Sequence, residues 1–282
     1  MIFYKSVSAG NDFIHIDAAE VGAVSKGDLT EKICDRNKGA GADGVVFYEV
    51  QPGAAGAGFE IFNRDGSRAE LSGNGMAGLS ALLFYLDKFS AQVVLFTSSG
   101  RKTIELLERR ENEFRLKIEI GEADFSRLDF FPFLREKRLD YEYAGFTFYP
   151  VSVGNPHVVV LLEKEFPFEE IMAAGRELES AGLFPRKTNV EFVLHPLVGG
   201  GLYEGGEECR VFYYERGVGH TFSSSTGSAA VFAVLQKLGF VEDHLVVGTL
   251  PEKIKISFKK GIYIENSTKI VYKGVFINTG IK

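Results

Sequence analysis

Cysteine is scarce in this chain of 282 residues: Cys34 and Cys209 are the only two. There is no CxxC and no Cys/His cluster, which excludes a disulfide framework and a local zinc site. The five histidines, His15, His157, His195, His220 and His244, are dispersed, so no metal is expected. No apolar run approaches the roughly 18–20 residues needed to cross a bilayer. Met1–Lys5 reads as a strand, without the basic, apolar and small-residue regions of a signal peptide. A strong charge of one sign is lacking too. The net charge is −6 and the basic residues are scattered, which leaves no nucleic-acid footprint. These absences point to a cytoplasmic protein with a small-molecule ligand and no nucleic-acid or membrane partner.

What is present is an ordinary globular composition, 45% hydrophobic and 25% charged, with length enough for two domains that each bury a core. It also contains a repeat. Ser72-Gly73-Asn74-Gly75 opens one apolar, Ala-rich run, and Ser224-Ser225-Thr226-Gly227 opens another 152 positions later. Behind each, Ala77, Ala81, Leu83 and Leu86 match Ala229, Ala233, Leu235 and Leu238. Nine residues ahead of each Ser stands a polar residue followed by Arg, Asn63-Arg64 and Glu215-Arg216. Phe3–Asn11 is echoed by Phe148–Asn155, each a strand-like run ending at Gly-Asn. A period near half the chain implies two lobes of one architecture and excludes a solenoid, whose periods are far shorter.

Alternating or apolar runs bounded by Gly, Asn and Asp read as strands at Phe13–Asp17, Gly44–Val50, Gly58–Asn63, Ala91–Thr97, Lys102–Leu107 and Glu113–Ile120. Thr30–Asn37 reads as a short helix capped by Thr30, and Gly75–Lys88 as a longer one buried on most sides. The second half repeats the plan, with strands near Phe146–Val153, His157–Leu162, Asn189–Leu194 and Cys209–Glu215, then a helix at Gly227–Leu238. Pro167 is suited to the first turn of a helix over Phe168–Leu178. Gly121–Asp140 lacks periodicity and reads as the connection between lobes. The tail holds strand-like pieces at Lys253–Phe258, Gly261–Glu265 and Lys269–Phe276. The expected division is an N-terminal lobe over 1–118, completed by a C-terminal strand at about 264–282, and a C-terminal lobe over 119–263.

A helix N-terminus offers unpaired N–H groups and partial positive charge, which suit a carboxylate or phosphate. Gly73, Gly75 and Gly227 let backbone amides approach a ligand closely. Ser is also a common helix cap, so either motif alone reads as well as a cap. Their duplication favours one ligand held between two facing helix ends. Arg216 can fork onto a carboxylate and Glu215 can receive an ammonium, although both residue types also form surface ion pairs. Asn11, Asn155 and Asn189 can present donor and acceptor to a ligand or simply form turns. His157 and His220 are the nearby imidazoles, each either a base or a structural residue.

Taken together, seven segments resemble the diaminopimelate epimerase family of pyridoxal-independent amino-acid racemases, over nearly the whole chain. They are Gly10–Phe13, Gly39–Gly44, Asn63–Ser67, Ser72–Gly75, Gly154–His157, Thr188–Val193 and Glu215–Gly219. The resemblance implies an α/β (α+β) fold of two pseudo-symmetric lobes, each a mixed sheet wrapped around a central helix. It implies cofactor-free proton transfer at an amino-acid Cα, LL- to meso-diaminopimelate, in lysine biosynthesis, and a homodimer. By position, Asn11, Asn63, Asn155, Asn189, Glu215 and Arg216 would hold the amino acid, and Gly73, Asn74, Ser225 and Thr226 would contact its carboxylate.

The departure lies in the two proton-transfer positions, which are cysteines in the family and Ser72 and Ser224 here. A thiol ionises at about pH 8.5 and lower at a helix N-terminus. A hydroxyl is scarcely ionised near neutrality, and helix dipoles contribute a few kcal/mol at most, roughly. Serine would therefore need an adjacent base. His220, which stands where the family usually has Glu, is the first candidate, with His157 the second. Met76-Ala77 replace a usual Ile-Arg pair, and Ser223 and Ser225 replace Ala and Gly, a spread that favours natural divergence over a two-site substitution. The readings left open are an epimerase using Ser72 and Ser224, a related racemase or dehydratase of another amino or imino acid, and a non-catalytic amino-acid-binding protein.

Overall fold

The computed structural model describes residues 1–51, 53, 55–135, 138–194, 208–249 and 253–277. His195 and positions 278–282 of the expected closing strand lie outside the described residues. The chain divides into two compact units, Met1–Glu119 with Glu265–Lys282, and Ile120–Ile264.

The first unit carries β1 (Ile2–Ser8), β2 (Asn11–Asp17), α1 (Lys26–Cys34), β3 (Gly44–Glu49), β4 (Gly56–Asn63), β5 (Arg68–Ala69), α2 (Gly73–Tyr85), β6 (Gln92–Thr97), β7 (Gly100–Arg110) and β8 (Glu113–Gly121), the last ending just beyond it. β1 and β2 form an antiparallel hairpin, β3 joins β2 in parallel, and β4 turns back antiparallel on β3. β2 is buried at nearly every position because both faces are covered. Ile14 and Ile16 pack with Leu29, Ile33, Val45 and Phe47 beneath α1. His15, on the opposite face, lies against α2, where a Cβ on Gly78 would come within 2.7 Å of its Nε2 and 2.3 Å of Ser6 Oγ. Gly78 is therefore required by close approach.

The second unit carries β9 (Tyr141–Tyr143), β10 (Phe146–Ser152), β11 (Pro156–Leu162), α3 (Phe168–Glu179), β12 (Asn189–Leu194), β13 (Glu208–Glu215), β14 (Gly219–Thr221), α4 (Ser225–Lys237), β15 (His244–Gly248) and β16 (Lys253–Phe258). β17 (Ile262–Val275) begins there and, from Glu265, belongs to the first unit, where it pairs antiparallel with β1. The hairpin β10–β11, the parallel partner β12 and the returning β13 repeat the order of the first unit. Val158, Val160, Val190 and Phe192 pack with Ile171 and Leu178 of α3.

The repeat holds at the level of register. Ile61 pairs with Ala69 and Tyr213 with Thr221, while Gly56 pairs with Val94 and Glu208 with Val246. Both pairs shift by the 152 positions that separate the two Ser motifs. The fold is α+β, each unit a mixed sheet around a central helix, α2 or α4, whose small and apolar residues are buried almost all round.

Several expectations are corrected. The first helix starts at Lys26, with Ser25 as its cap accepting from Asp28 N, and ends at Cys34. Thr30 is interior and donates back to Lys26 O at 2.7 Å, while Asp35 binds the N–H groups of Asn37 and Lys38 and ends the helix. Pro167 is the residue before the first turn of α3, not within it. Gly121–Asp140 does more than connect: Phe130 and Phe131 are buried in the second core, and Phe131 and Phe133 meet Phe184 edge-on. The two tail pieces are one strand, β17, because the polar Asn266 and Thr268 that interrupt its pattern are buried against the first unit. β5, β9, β14 and β15 were not expected, being too short or too weakly alternating to stand out.

Candidate functional site

Each unit builds a half-site where its central helix begins. Ser72 and Ser224 have nearly the same extended backbone, φ −146° and ψ 120° against φ −140° and ψ 120°. Each hydroxyl accepts from the N–H three residues on, Gly75 N at 3.1 Å and Gly227 N at 3.2 Å. Both are thus helix caps, and Gly73, Asn74, Ser225 and Thr226 form the buried first turns behind them. Such ends favour an anion.

In the first unit the lip is a chain of amides. Asn74 Nδ2 donates to Asn11 Oδ1 at 2.9 Å, and Asn266 Nδ2 donates to Asn74 Oδ1 at 2.9 Å. Asn11 Nδ2 reaches Asp43 Oδ2 at 3.4 Å. Asp43 belongs to an ionic cluster in which Arg36 grips Asp12 with two bonds, at 3.0 and 2.8 Å, and reaches Asp43 at 2.8 Å, while Lys5 lies 2.8 Å from Asp12. Burial alone would raise the Asp12 pKa, but the hydrogen bonds from Arg36 and Lys5 outweigh it and hold the carboxyl below its usual range. Burial, with repulsion from Asp12, lifts Asp43 above that range. Asn63, at the end of β4, does not join the amide chain. Its Nδ2 donates to Ser67 Oγ at 3.1 Å and closes the turn into β5.

In the second unit the lip is ionisable. Ser224 Oγ donates to Glu215 Oε2 at 3.0 Å, and Thr221 Oγ1 donates to Glu215 Oε1 at 2.6 Å. The hairpin β13–β14 places both groups, with Glu215 paired to Gly219 and Tyr213 to Thr221, across a turn that requires positive φ at Gly217 and Gly219. Asn155 donates to Thr226 Oγ1 at 3.5 Å, and its Oδ1 lies 2.9 Å from His157 Nε2. His157 Nδ1 lies 2.8 Å from Glu191 Oε1, both side chains being wholly buried. A Cβ on Gly227 would sit 2.6 Å from that same Glu191 oxygen, so the first turn of α4 rests directly on the pair. Asn189 donates to Pro156 O at 2.8 Å and accepts from Arg216 N at 3.0 Å, and the Arg216 guanidinium reaches Arg186 O at 3.1 Å.

Neither histidine stands as the base beside a serine hydroxyl. His220 is exposed, with its ring edge-on to Phe168 at 5.0 Å and Phe222 at 5.4 Å, and partial burial lowers its pKa. His157 is committed to Glu191 and Asn155. The group that Ser224 reaches is Glu215. Sequence reasoning passed over Thr221, Glu191, Asp43 and Asn266. Glu191 carried a signal, since an acid flanked by Val190 and Phe192 in an otherwise apolar strand must find a partner. Thr221 carried none. Burial raises the thiols of both cysteines to about 12, helped at Cys34 by Asp12 and Asp43 and at Cys209 by Glu208.

The family model for diaminopimelate epimerase matches residues 3–126 and 149–274. The chain is 31% identical to the diaminopimelate epimerase of Carboxydothermus hydrogenoformans, covering 98% of this chain and 99% of the relative. It is 32% identical to that of Archaeoglobus fulgidus, covering 97% and 95%. Among solved structures, a hydroxyproline epimerase from Agrobacterium vitis, with bound trans-4-hydroxy-L-proline, matches with a TM-score of 0.71 at 13% identity, covering 97% of this chain and 91% of that one. That likeness is one of fold.

Proposed function

The chain belongs to the diaminopimelate epimerase family, and from that premise we propose that it inverts one α-carbon of diaminopimelate, LL to meso, without a cofactor, using Ser72 and Ser224 as its proton-transfer hydroxyls. The observation that carries this reading is the duplication of a Ser-capped, glycine-lined helix start in both units, with the same cap bond in each. Stereoinversion needs one group to remove a proton and another to return one, and each unit supplies one hydroxyl. The backbone N–H groups of the first turns suit the substrate carboxylate, where negative charge builds as the Cα–H bond breaks. Gly73, Asn74, Ser225 and Thr226 supply that cradle, and Asn11, Asn155, Asn189 and Arg216 hold the amino acid. Asn63, turned toward Ser67, contributes through the β4–β5 turn.

Family membership supports a place in lysine biosynthesis, in the cytoplasm, and a homodimer. The test is conversion of LL-diaminopimelate followed by chiral chromatography, with Ser72→Ala and Ser224→Ala alongside the wild type. Conversion that both substitutions abolish supports the reading. Saturable binding with no conversion by the wild type would make the chain an amino-acid-binding protein instead.

A further inference from the structure

A chain of side-chain amides has a direction, and a carboxylate at one end sets it. An ionised carboxylate accepts hydrogen bonds and never donates. Asp43 Oδ2 accepts from Asp12 N at 3.2 Å and from Asn11 Nδ2 at 3.4 Å, while Arg36 pairs with Oδ1 at 2.8 Å. Asn11 must therefore turn its nitrogen to Asp43 and its oxygen to Asn74. Asn74 Nδ2 donates to that oxygen, which leaves Asn74 Oδ1 to accept from Asn266 Nδ2, each bond being 2.9 Å. At the far end the Ser8 hydroxyl donates to Asn266 Oδ1 at 3.4 Å and also meets Thr268 Oγ1. All three amides are buried, and all three point the same way.

We infer that Asn266, brought by β17 to the start of α2, is a positioning residue for the ligand. Its donor, with Asp43 as the acceptor at the other end, holds the amides of Asn74 and Asn11 in one orientation. This rests on the epimerase reading above, in which those two side chains touch the amino acid. The consequence is selectivity for charge. Asn11 Oδ1 is engaged by Asn74, and one Nδ2 hydrogen by Asp43. Among the described residues the second Nδ2 hydrogen has no partner. This half-site thus offers a donor, which suits a carboxylate oxygen of the ligand. The same amide turned over would put an oxygen there, which suits an ammonium instead.

The second unit does not fix a direction in this way. Asn155 lies between Thr226 Oγ1 and His157 Nε2, and a hydroxyl or an imidazole nitrogen can donate or accept.

The test is calorimetric binding of LL-diaminopimelate from mildly acid to mildly alkaline pH, with chiral chromatography to read turnover. The ratio of each variant's Kd to that of wild type at the same pH cancels the titration of the ligand. Asn266→Leu keeps the shape, carries no charge and gives Asn74 no donor, so Kd should rise about tenfold at every pH. Asn266→Asp keeps the shape and changes its role with pH. Ionised, the new carboxyl only accepts, so Asn74 must turn over or lose the bond, and Kd should rise about 30-fold or more. Protonated, it donates as the amide did, and Kd should return to within about threefold of wild type. Ser8, Thr268 and Asn74 beside it carry no charge, and burial raises its pKa, which brings that recovery into the range measured. A side chain with a purely structural role gives no such recovery, and either variant decides the matter if the other fails to fold. Asn266→Leu within about twofold of wild type, or a loss in Asn266→Asp that acidification does not reverse, overturns the positioning role and leaves the epimerase reading intact. Wild type that binds without turnover overturns the epimerase reading alone, because the Kd series still reports on the amides. Wild type that does not bind diaminopimelate overturns both.

Discussion

The two half-sites agree in the cap bond and in an Asn bonded to the first helical turn, and differ in the charged groups behind them. At α2 the cap is followed by a run of neutral amides, Asn11, Asn74 and Asn266, and the position matched to Glu215 is the amide Asn63. At α4 the cap is backed by Glu215, and the first turn rests on a buried His157–Glu191 pair. The first unit keeps its charges further off, in the Lys5–Asp12–Arg36–Asp43 cluster, where Arg36 is about half exposed (49%). Both units keep the same capped helix start, whose N–H groups suit an anion, and the ionisable groups behind it are placed unequally. A reaction that removes a proton with one group and returns it with another has no need of identical halves.

The largest test of that inequality is of stability. His157 and Glu191 have no exposure at all, and removing one partner of a buried pair leaves the other uncompensated, at about 3–5 kcal/mol. His157→Ala should therefore lower the denaturation midpoint strongly. Arg36→Ala, which breaks a half-exposed ion cluster, should cost about 1–2 kcal/mol. Equal losses in urea titrations would show that the two networks are energetically alike and would remove the asymmetry argued above.

The next test exchanges the hydroxyls for thiols. Ser72→Cys should raise the rate of diaminopimelate epimerisation by about 100-fold, because a thiol at a helix N-terminus yields an accessible thiolate. Ser224→Cys should gain less, about tenfold or under, because the carboxylate of Glu215 at the same spot disfavours a second negative charge. Initial rates of stereoinversion would show it. A larger gain at 224 than at 72 would count against Glu215 being charged beside that position.

What was legible in the sequence follows from what repeats. The Ser caps, their glycines and the matched Ala and Leu positions recur at a constant spacing, so the central helices and the doubled architecture could be read without coordinates. Strands such as Asn189–Leu194 showed because buried apolar residues make up most of them. The partners of the site residues were harder, because hydrogen bonding joins residues that no periodicity links. Glu215 and Thr221 meet only because a three-residue turn folds β14 onto β13, and Asn266 reaches Asn74 from 192 positions away. His220 looked suitable by residue type. Strand alternation sends its ring to Phe168 and Phe222, while the neighbouring Thr221 faces the carboxylate.

A smaller effect comes from the glycines of the two first turns. A Cβ on Gly227 would meet Glu191 Oε1 at 2.6 Å, a carboxylate oxygen fixed by His157. A Cβ on Gly75 would meet Ile61 Cδ1 at 2.9 Å, the free end of a flexible side chain that can turn aside. Gly227→Ala should destabilise by about 2 kcal/mol, as overpacking does. Gly75→Ala should cost under about 1 kcal/mol, since the gain in helix propensity offsets much of the crowding. If chemical denaturation ranks the two variants the other way, Glu191 does not press on α4 as described.

The smallest effect is one of pH, and it belongs to the first unit alone. Asp12 follows Asn11, and the residue following the matched Asn155 is Pro156, which does not titrate. Burial works against the Asp12 carboxylate, yet Arg36 and Lys5 hold its pKa below the unfolded value, so the folded state favours the ionised form. The stabilisation is present in full above the unfolded pKa of about 3.9 and is lost as pH falls through the lower, folded value. Between those values the unfolded chain binds the proton first, and stability falls with pH. Asp12→Asn should be less stable than wild type at neutral pH, having lost its ion pairs. It should also show a shallower fall in Tm on acidification, by a few degrees, about what one kcal/mol produces in a protein of this size. Parallel Tm curves for the two proteins from neutrality down to about pH 3 would mean that the Lys5–Asp12–Arg36 cluster does not favour the ionised carboxylate.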